Sequence, residues 1–395
     1  MATLPLAGVR VVALEQAVAA PFCSRHLADM GADVVKVERP DGGDLARRYD
    51  SVVNGLSAYF VWLNRGKRSI CLDVKQPGGI EVLRRLLEGA DVFVHNLGPG
   101  AVERLGLGYE TLHQELPRLI WCGISGYGPH GPFRDRKAFD LLLQAESGVM
   151  AQTGTVEQPA KVGISIADIS AGLYAFSSIL LALLARSQSG EGQRIDVSLF
   201  DCLAEWMEAP LYHYLYGGTA LPRGGMRHNM IVPYGPYRCA EGAMVLLAVQ
   251  NERQWATLCR QVLRSPNLLE DARFATNERR VANRELLEPL IEQLLADVSV
   301  AEAEARLDNA DLPFGRLNEV ADLAVHPQLS ARDRWQQVDS PVGPLHALQP
   351  PFNLSGLEAN FGPIPDLGEH TEALLAELGY PPEAAAQLCA SGAVR

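Results

Sequence analysis

The feature that most constrains this chain is an alternation, from its first residues to beyond its hundredth, of short apolar runs with longer segments of helical period. The runs Val9 to Leu14, Asp33 to Glu38, Ser69 to Asp73, Val92 to His95 and Leu119 to Gly123 are short enough to be strands buried on both faces. Between them, Pro21 to Met30, closed by Gly31, and Gly79 to Leu87 read as helices. Parallel strands need a crossover connection and antiparallel ones do not, so strand, helix and strand in steady succession specify a parallel sheet covered by helices. The expected fold class is α/β, with a Rossmann-like large domain.

A nicotinamide site on such a sheet would need GxGxxG in the first strand-to-helix turn, where glycines let a pyrophosphate approach the helix. Here that turn reads Glu15-Gln-Ala-Val-Ala-Ala-Pro21 and holds no glycine, so Glu38 is read as a strand-end acid rather than a ribose ligand. The fold class stands while its usual dinucleotide does not.

Further along, Ile169 to Ala185 carries no charge, but it is near the lower length limit for a membrane span and includes Ser170, Gly172, Ser177 and Ser178. It is read as a buried helix of a soluble protein. A strand from Arg194 to Leu199 and a helix to about Tyr216 follow, and the passage Gly217 to Gly225 reads as a linker. A smaller domain then holds a strand from Met244 to Val249 and helices over Glu252 to Leu263 and Glu285 to Leu295. The segment Gln349-Pro-Pro-Phe352 leads to a terminal helix from Thr371 to Leu378. The expected division is a large domain beginning with residues 1–216, a small α+β domain over 217–325 and a carboxyl-terminal segment over 326–395.

Charge narrows the partners. With 35 Lys and Arg against 47 Asp and Glu the net charge is -12, which repels a polyanion, so nucleic acid is not expected. The seven cysteines are scattered singly, without a CxxC pair, and read as reduced thiols rather than a disulfide framework or a zinc site. The amino terminus lacks the basic start and apolar run of a signal peptide, which with the thiols points to a cytoplasmic protein and no membrane partner.

Several segments together resemble the family III CoA-transferases, the group that includes formyl-CoA transferase, carnitine CoA-transferase and the α-methylacyl-CoA racemases. They are Leu6-Ala-Gly-Val-Arg-Val-Val12, Gly31-Ala-Asp-Val-Val-Lys-Val-Glu-Arg39, Asn64-Arg-Gly-Lys-Arg-Ser-Ile70, Asn96-Leu-Gly-Pro-Gly-Ala101, Ser125-Gly-Tyr-Gly128, Gly190-Glu-Gly-Gln-Arg194 and Leu367-Gly-Glu-His-Thr371. Each is weak alone; their order and spacing across nearly the whole chain make the resemblance specific. It implies that the carboxyl-terminal segment returns to the large domain and that two chains thread through each other as an interlocked homodimer. It also implies coenzyme A as substrate and product, with no metal, nicotinamide or flavin.

The family's nucleophile is an aspartate that follows a QTG-like turn. Here Gln152-Thr-Gly154 leads to Asp168. The residue type suits the chemistry, because a carboxylate attacking a thioester gives a mixed anhydride energetic enough to be recaptured by CoA thiolate. The competing reading is that Asp168 caps the helix that follows it. The resemblance assigns CoA contacts to the cations Arg39, Lys75, Arg104 and Lys137, and to Leu72, Asn96, Leu97 and Ala101 along the adenine and pantetheine path. Ala17, Val18 and Ala19 match positions whose backbone faces the thioester, where N–H groups stabilise an oxyanion.

Departures from the family narrow the reaction. Racemases place a His directly before an Asp, and here that place reads Ala138-Phe139-Asp140, which removes one member of an acid–base pair. Formyl-CoA transferase has a glutamine where Val18 stands and a glycine run that is missing from Pro222 to Tyr237. That segment, with Phe60-Val-Trp-Leu-Asn-Arg65, more closely resembles members that move CoA among C4 and C5 dicarboxylates such as succinate, mesaconate, itaconate, citramalate or malate. The remaining carboxylate of such an acceptor needs cations or donors, and the candidates, beside Phe139 and Asp140, are Arg47, Arg223, Arg227, His228 and Tyr234. The expected activity is CoA transfer from a succinyl-CoA-like donor to a carboxylic acid, with a racemase or a catalytically silent CoA-binding paralogue as alternatives.

Overall fold

The computed structural model describes residues 3–395, which fall into two compact units. The first comprises residues up to Ser147, Val162–Glu208 and Leu329–Arg395, and the second Gly148–Lys161 and Ala209–Gln328. The excursion 148–161, which the sequence reading leaves in the large domain, therefore groups with the second unit.

The first unit is built on six parallel strands: β1 (Arg10–Leu14), β2 (Asp33–Glu38), β3 (Lys67–Cys71), β4 (Val92–His95), β5 (Ile120–Ser125) and β6 (Arg194–Ser198). Their order in the sheet is β3-β2-β1-β4-β5-β6. Val12 of β1 stands beside Val35 of β2 on one side and Phe93 of β4 on the other. Both faces of the central strands are covered, with Val11 to Ala13 and Val92 to Val94 fully buried, which explains why these runs are continuously apolar rather than alternating. Leu83, Leu86 and Leu87 from helix Pro77–Glu88 and Leu374 and Leu375 from helix Thr371–Glu377 pack into one cluster with Val12, Val35 and Phe93.

Three helices of this unit position the site: α1 (Ala19–Asp29), α2 (Asp140–Glu146) and α3 (Ile166–Ser189). The last contains the uncharged stretch and is long and apolar enough to cross a membrane. It is not buried throughout, as the sequence reading has it. Ala167, Ala171, Ala175, Ile179 and Ala182 face inward, while Leu173, Leu181 and Leu184 are 41%, 67% and 62% exposed on the opposite side. At Gly172 it meets α1 so closely that an added Cβ would stand 2.5 Å from the Ala19 carbonyl oxygen.

The second unit has an antiparallel sheet of β7 (Tyr234–Arg238), β8 (Met244–Ala248) and β9 (Phe314–Gly315). Its own core gathers Tyr237, Val245, Trp255, Leu258, Phe274, Leu287, Ile291 and Leu307. A hairpin of β10 (Trp335–Val338) and β11 (Leu345–Leu348) lies in the first unit, where Val338 packs with Phe60 and Ile364. The seven cysteines are unbridged, and only Cys389 is exposed.

Candidate active site

The sheet order reverses between β1 and β4, so the connections leaving their carboxyl ends run in opposite directions and open a crevice where ligands of α/β sheets bind. A cavity of about 760 Å³ lies there, lined by Ala17, Val18 and Ala19 after β1, by Asn96 and Leu97 after β4, and by Ser125 and Gly126 at the end of β5. Ala101, Arg104, Lys137, Phe139, Asp140 and Asp168 complete it among the residues expected from the sequence.

The first turn is held from several directions. Asn96 accepts the Gln16 N–H at 3.0 Å and donates to the Gln16 carbonyl at 2.8 Å, so its side chain braces the turn. Ala17 has φ 62°, a left-handed conformation that costs a residue with a Cβ roughly 1–2 kcal/mol. Its N–H donates to Asp44 Oδ1 at 2.8 Å. A hydrogen bond to a charged acceptor contributes roughly 1.5–3 kcal/mol, enough to offset that strain. It also corrects the expectation for Ala17, whose N–H is committed to Asp44. Val18 is the N-cap of α1, and its side chain makes no cap hydrogen bond.

Beneath the turn lies a buried ion cluster. Glu15 accepts from Lys36 at 3.2 Å, Lys67 at 2.7 Å and Ser24 at 2.7 Å, and Lys36 also donates to Asp44 Oδ2 at 2.7 Å. Burial penalises every charge here. The mutual attraction wins at Glu15 and Lys36, holding Glu15 below the usual carboxylate range and Lys36 above the usual ammonium range, whereas at Lys67 burial wins and brings the ammonium down to about 8.

Asp168 occupies the third residue of α3, and its carboxyl group is half-buried in the cavity wall. It is not the cap of its helix. Ser165 is the N-cap residue, without a side-chain bond, and the N–H groups of Ala167 and Asp168 donate instead to Asp140 Oδ1 at 2.7 and 3.3 Å. Gln144, four residues on and fully buried, donates to Asp140 Oδ2 at 2.7 Å and accepts the Val162 N–H at 2.9 Å. Burial first, and the neighbouring Asp140 charge second, push the Asp168 carboxyl up to about 7.

Other expected contacts lie elsewhere. The Leu72 side chain is core, 1% exposed, and the Leu72 backbone pairs with Val394 in an isolated β-bridge. Arg39 donates to the Gly43 carbonyl and faces Asp41, and Lys75 sits on an exposed turn, both outside the cavity lining. Arg47 is committed to Glu38 through two bonds of 2.8 Å and stacks 3.6 Å from the Phe60 ring centroid. Those bonds, with Lys36, outweigh burial and hold Glu38 down at about 2.

In the second unit, Arg223 donates to the carbonyls of Ala151, Thr155 and Val156, and Arg227 pairs with Glu288 and Glu292 at 2.7 Å. Arg47, Arg223 and Arg227, expected as acceptor contacts, are thus each bound to partners within the protein. His228 and Tyr234 stack with ring centroids 5.1 Å apart. The sequence reading missed Tyr49, Tyr59 and Arg136 on the cavity wall and Asp44 and Gln144 behind it. Gln144 had one legible signal, its place one helical turn after Asp140.

Residues 6–371 match the family described as CoA-transferase family III. A succinyl-CoA:glutarate CoA-transferase of Mus musculus is 34% identical over 99% of this chain and 90% of its own length. A succinyl-CoA:mesaconate CoA-transferase of Haloarcula hispanica is 35% identical over 94% of this chain and 96% of its own. Among solved structures, a CAIB/BAIF family protein from Brucella suis superposes with a TM-score of 0.83 at 37% identity, covering 95% of this chain and all of that one. With the parallel sheet and its crevice, these matches make the chain a member of the family III CoA-transferases, an enzyme class for which CoA is substrate and product.

Proposed function

We propose that this enzyme transfers CoA from a succinyl-CoA-like donor to a C4 or C5 dicarboxylate, with Asp168 as the covalent nucleophile. The observation that carries the reading is a half-buried carboxyl at the mouth of a helix, in the switch-point cavity, placed by Asp140 and Gln144 rather than spent on capping. The names of the mouse and Haloarcula relatives support a dicarboxylate acceptor.

The Asp168 carboxylate attacks the thioester carbonyl, an anhydride forms and CoA thiolate leaves. The thiolate attacks the Asp168 carbonyl of that anhydride, releasing the donor acid and leaving an aspartyl-CoA thioester. The acceptor carboxylate attacks this thioester, forming a second anhydride and freeing the thiolate. Attack by the thiolate on the acceptor carbonyl yields the new acyl-CoA and regenerates Asp168. Backbone N–H groups at Val18 and Ala19 serve the tetrahedral oxyanions, and Arg104 and Lys137 the CoA phosphates. Arg39, Lys75, His228 and Tyr234 keep a proposed role from the resemblance alone. The proposed homodimer is supported by the exposed leucine face of α3.

The test is mass spectrometry after incubation with succinyl-CoA and then hydroxylamine or borohydride. A mass change on the peptide carrying Asp168, together with loss of exchange in Asp168→Ala at a melting temperature no lower than that of the unsubstituted enzyme, is the expected result. Exchange persisting in Asp168→Ala sinks the mechanism, and proton exchange at the α-carbon without CoA transfer favours the racemase.

A further inference from the structure

We propose that Asp44 is a positioning residue for the reaction: it locks Ala17 in the left-handed conformation that presents Val18 and Ala19 to the cavity. The inference rests on the CoA-transferase reading of this cavity.

Asp44 is buried and divides its two oxygens between two tasks. Oδ1 accepts the N–H groups of Ala17 and Ala46, at 2.8 and 2.9 Å, which ties the turn after β1 to the turn after β2. Oδ2 accepts the Lys36 ammonium at 2.7 Å, and Lys36 in turn reaches Glu15, which begins the same turn. The Asp44 N–H donates to Glu38, whose carboxylate is gripped by Arg47 and Ser69. Asp44 is thus braced from the sheet while it holds a peptide at the cavity edge.

A non-glycine residue at positive φ persists only where its surroundings over-determine it, and such residues gather at functional sites. A chain needing this bend merely to connect β1 to α1 could place a glycine there. Alanine with a charged, buried acceptor produces the same bend as a rigid element, which suits a backbone that must meet a tetrahedral oxyanion without reorganising.

Two roles of Asp44 can be separated, because an amide oxygen still accepts N–H while the amide loses the charge that Lys36 pairs with. Asp44→Asn should lower the melting temperature, because its NH2 then faces the Lys36 ammonium, yet keep kcat within about threefold with its one amide oxygen on the Ala17 N–H. Asp44→Ala should lower kcat by about 100-fold, the scale expected for a small misplacement of catalytic groups, with a smaller change in KM. Ala17→Gly in the Asp44→Ala background should recover about tenfold of that loss, because glycine takes positive φ without steric cost. Hydrogen exchange of the peptide carrying Ala17 should quicken in Asp44→Ala and stay slow in Asp44→Asn.

Equal losses of kcat in Asp44→Asn and Asp44→Ala while exchange at Ala17 stays slow in Asp44→Asn, or no recovery by Ala17→Gly, would reduce Asp44 to a counter-ion of Lys36 and overturn the proposal. Should Asp44→Ala not fold, Ala17→Val decides: a β-branched residue resists positive φ, so unchanged kcat in that variant overturns it equally. Absence of CoA transfer by the unsubstituted enzyme is a separate failure, that of the transfer reading, and the exchange readout at Ala17 still judges the positioning claim.

Discussion

At the scale of single residues, the site turns on two carboxylates with different duties, Asp140 at the start of α2 and Asp168 in the first turn of α3. Asp140 spends its oxygens on backbone N–H groups and Gln144, while Asp168 faces the cavity. An attacking carboxylate must be ionised, and the Asp168 carboxyl, raised to about 7 by burial and then by Asp140, is only partly so near neutrality. Turnover should therefore rise between about pH 6 and about pH 8, and Asp140→Asn should move that rise to lower pH by removing the neighbouring charge. The same shift fixes a stability sign. Between the ordinary carboxylate range and about 7 the folded chain binds more protons than the unfolded one, so this group's contribution declines as pH rises through that window. Asp168→Asn should raise the melting temperature at about pH 8 and leave it nearly unchanged at about pH 4, a comparison made by calorimetry. An unchanged melting temperature at the higher pH would contradict the strain assigned to this carboxylate. The family resemblance pointed to Asp168. The duty of Asp140 as its neighbour's cap was not legible, because the two are 28 residues apart and meet only when α2 and α3 pack.

At the scale of elements, the contact between α1 and α3 couples packing to the site. Gly172 lets the helices approach until an added Cβ would stand 2.5 Å from the Ala19 oxygen, and Ala19 lines the cavity. Gly172→Ala should cost roughly 1–3 kcal/mol, the range for overpacking a closed contact. It should also raise KM for the acyl-CoA, measured beside chemical denaturation. A variant with wild-type stability and KM would show that α1 yields there at no cost. Strand and helix periods in this half were readable with small errors of boundary: β2 and β4 lie where the apolar runs put them, and α1 starts two residues early, at Ala19 rather than Pro21. Helix α2 went unread, since its short stretch Asp140–Glu146 carries too little period to stand out before packing selects it.

At the scale of the whole molecule, the exposed Leu173, Leu181 and Leu184 repeat along one face of α3 at helical spacing. If that face meets a second chain, as the proposed homodimer requires, light scattering should return about twice 42.9 kDa, and Leu181→Asp with Leu184→Asp should halve it or cause aggregation. A monomer before substitution would remove the dimer from the reading. The sequence by itself determined the parallel α/β sheet and the absence of glycines from its first turn, because strand and helix periods and turn chemistry are local properties of the chain. It also carried the family and the nucleophile candidate, whose signals are short motifs in fixed order. Only the tertiary structure decided which cations are spent. Arg47, Arg223 and Arg227 look alike in sequence to Arg104 and Lys137, yet the first three are bound by Glu38, by backbone carbonyls, and by Glu288 and Glu292. A charge's partner is set by packing between distant segments, and so are the bend of Ala17 on Asp44 and the raised carboxyl of Asp168.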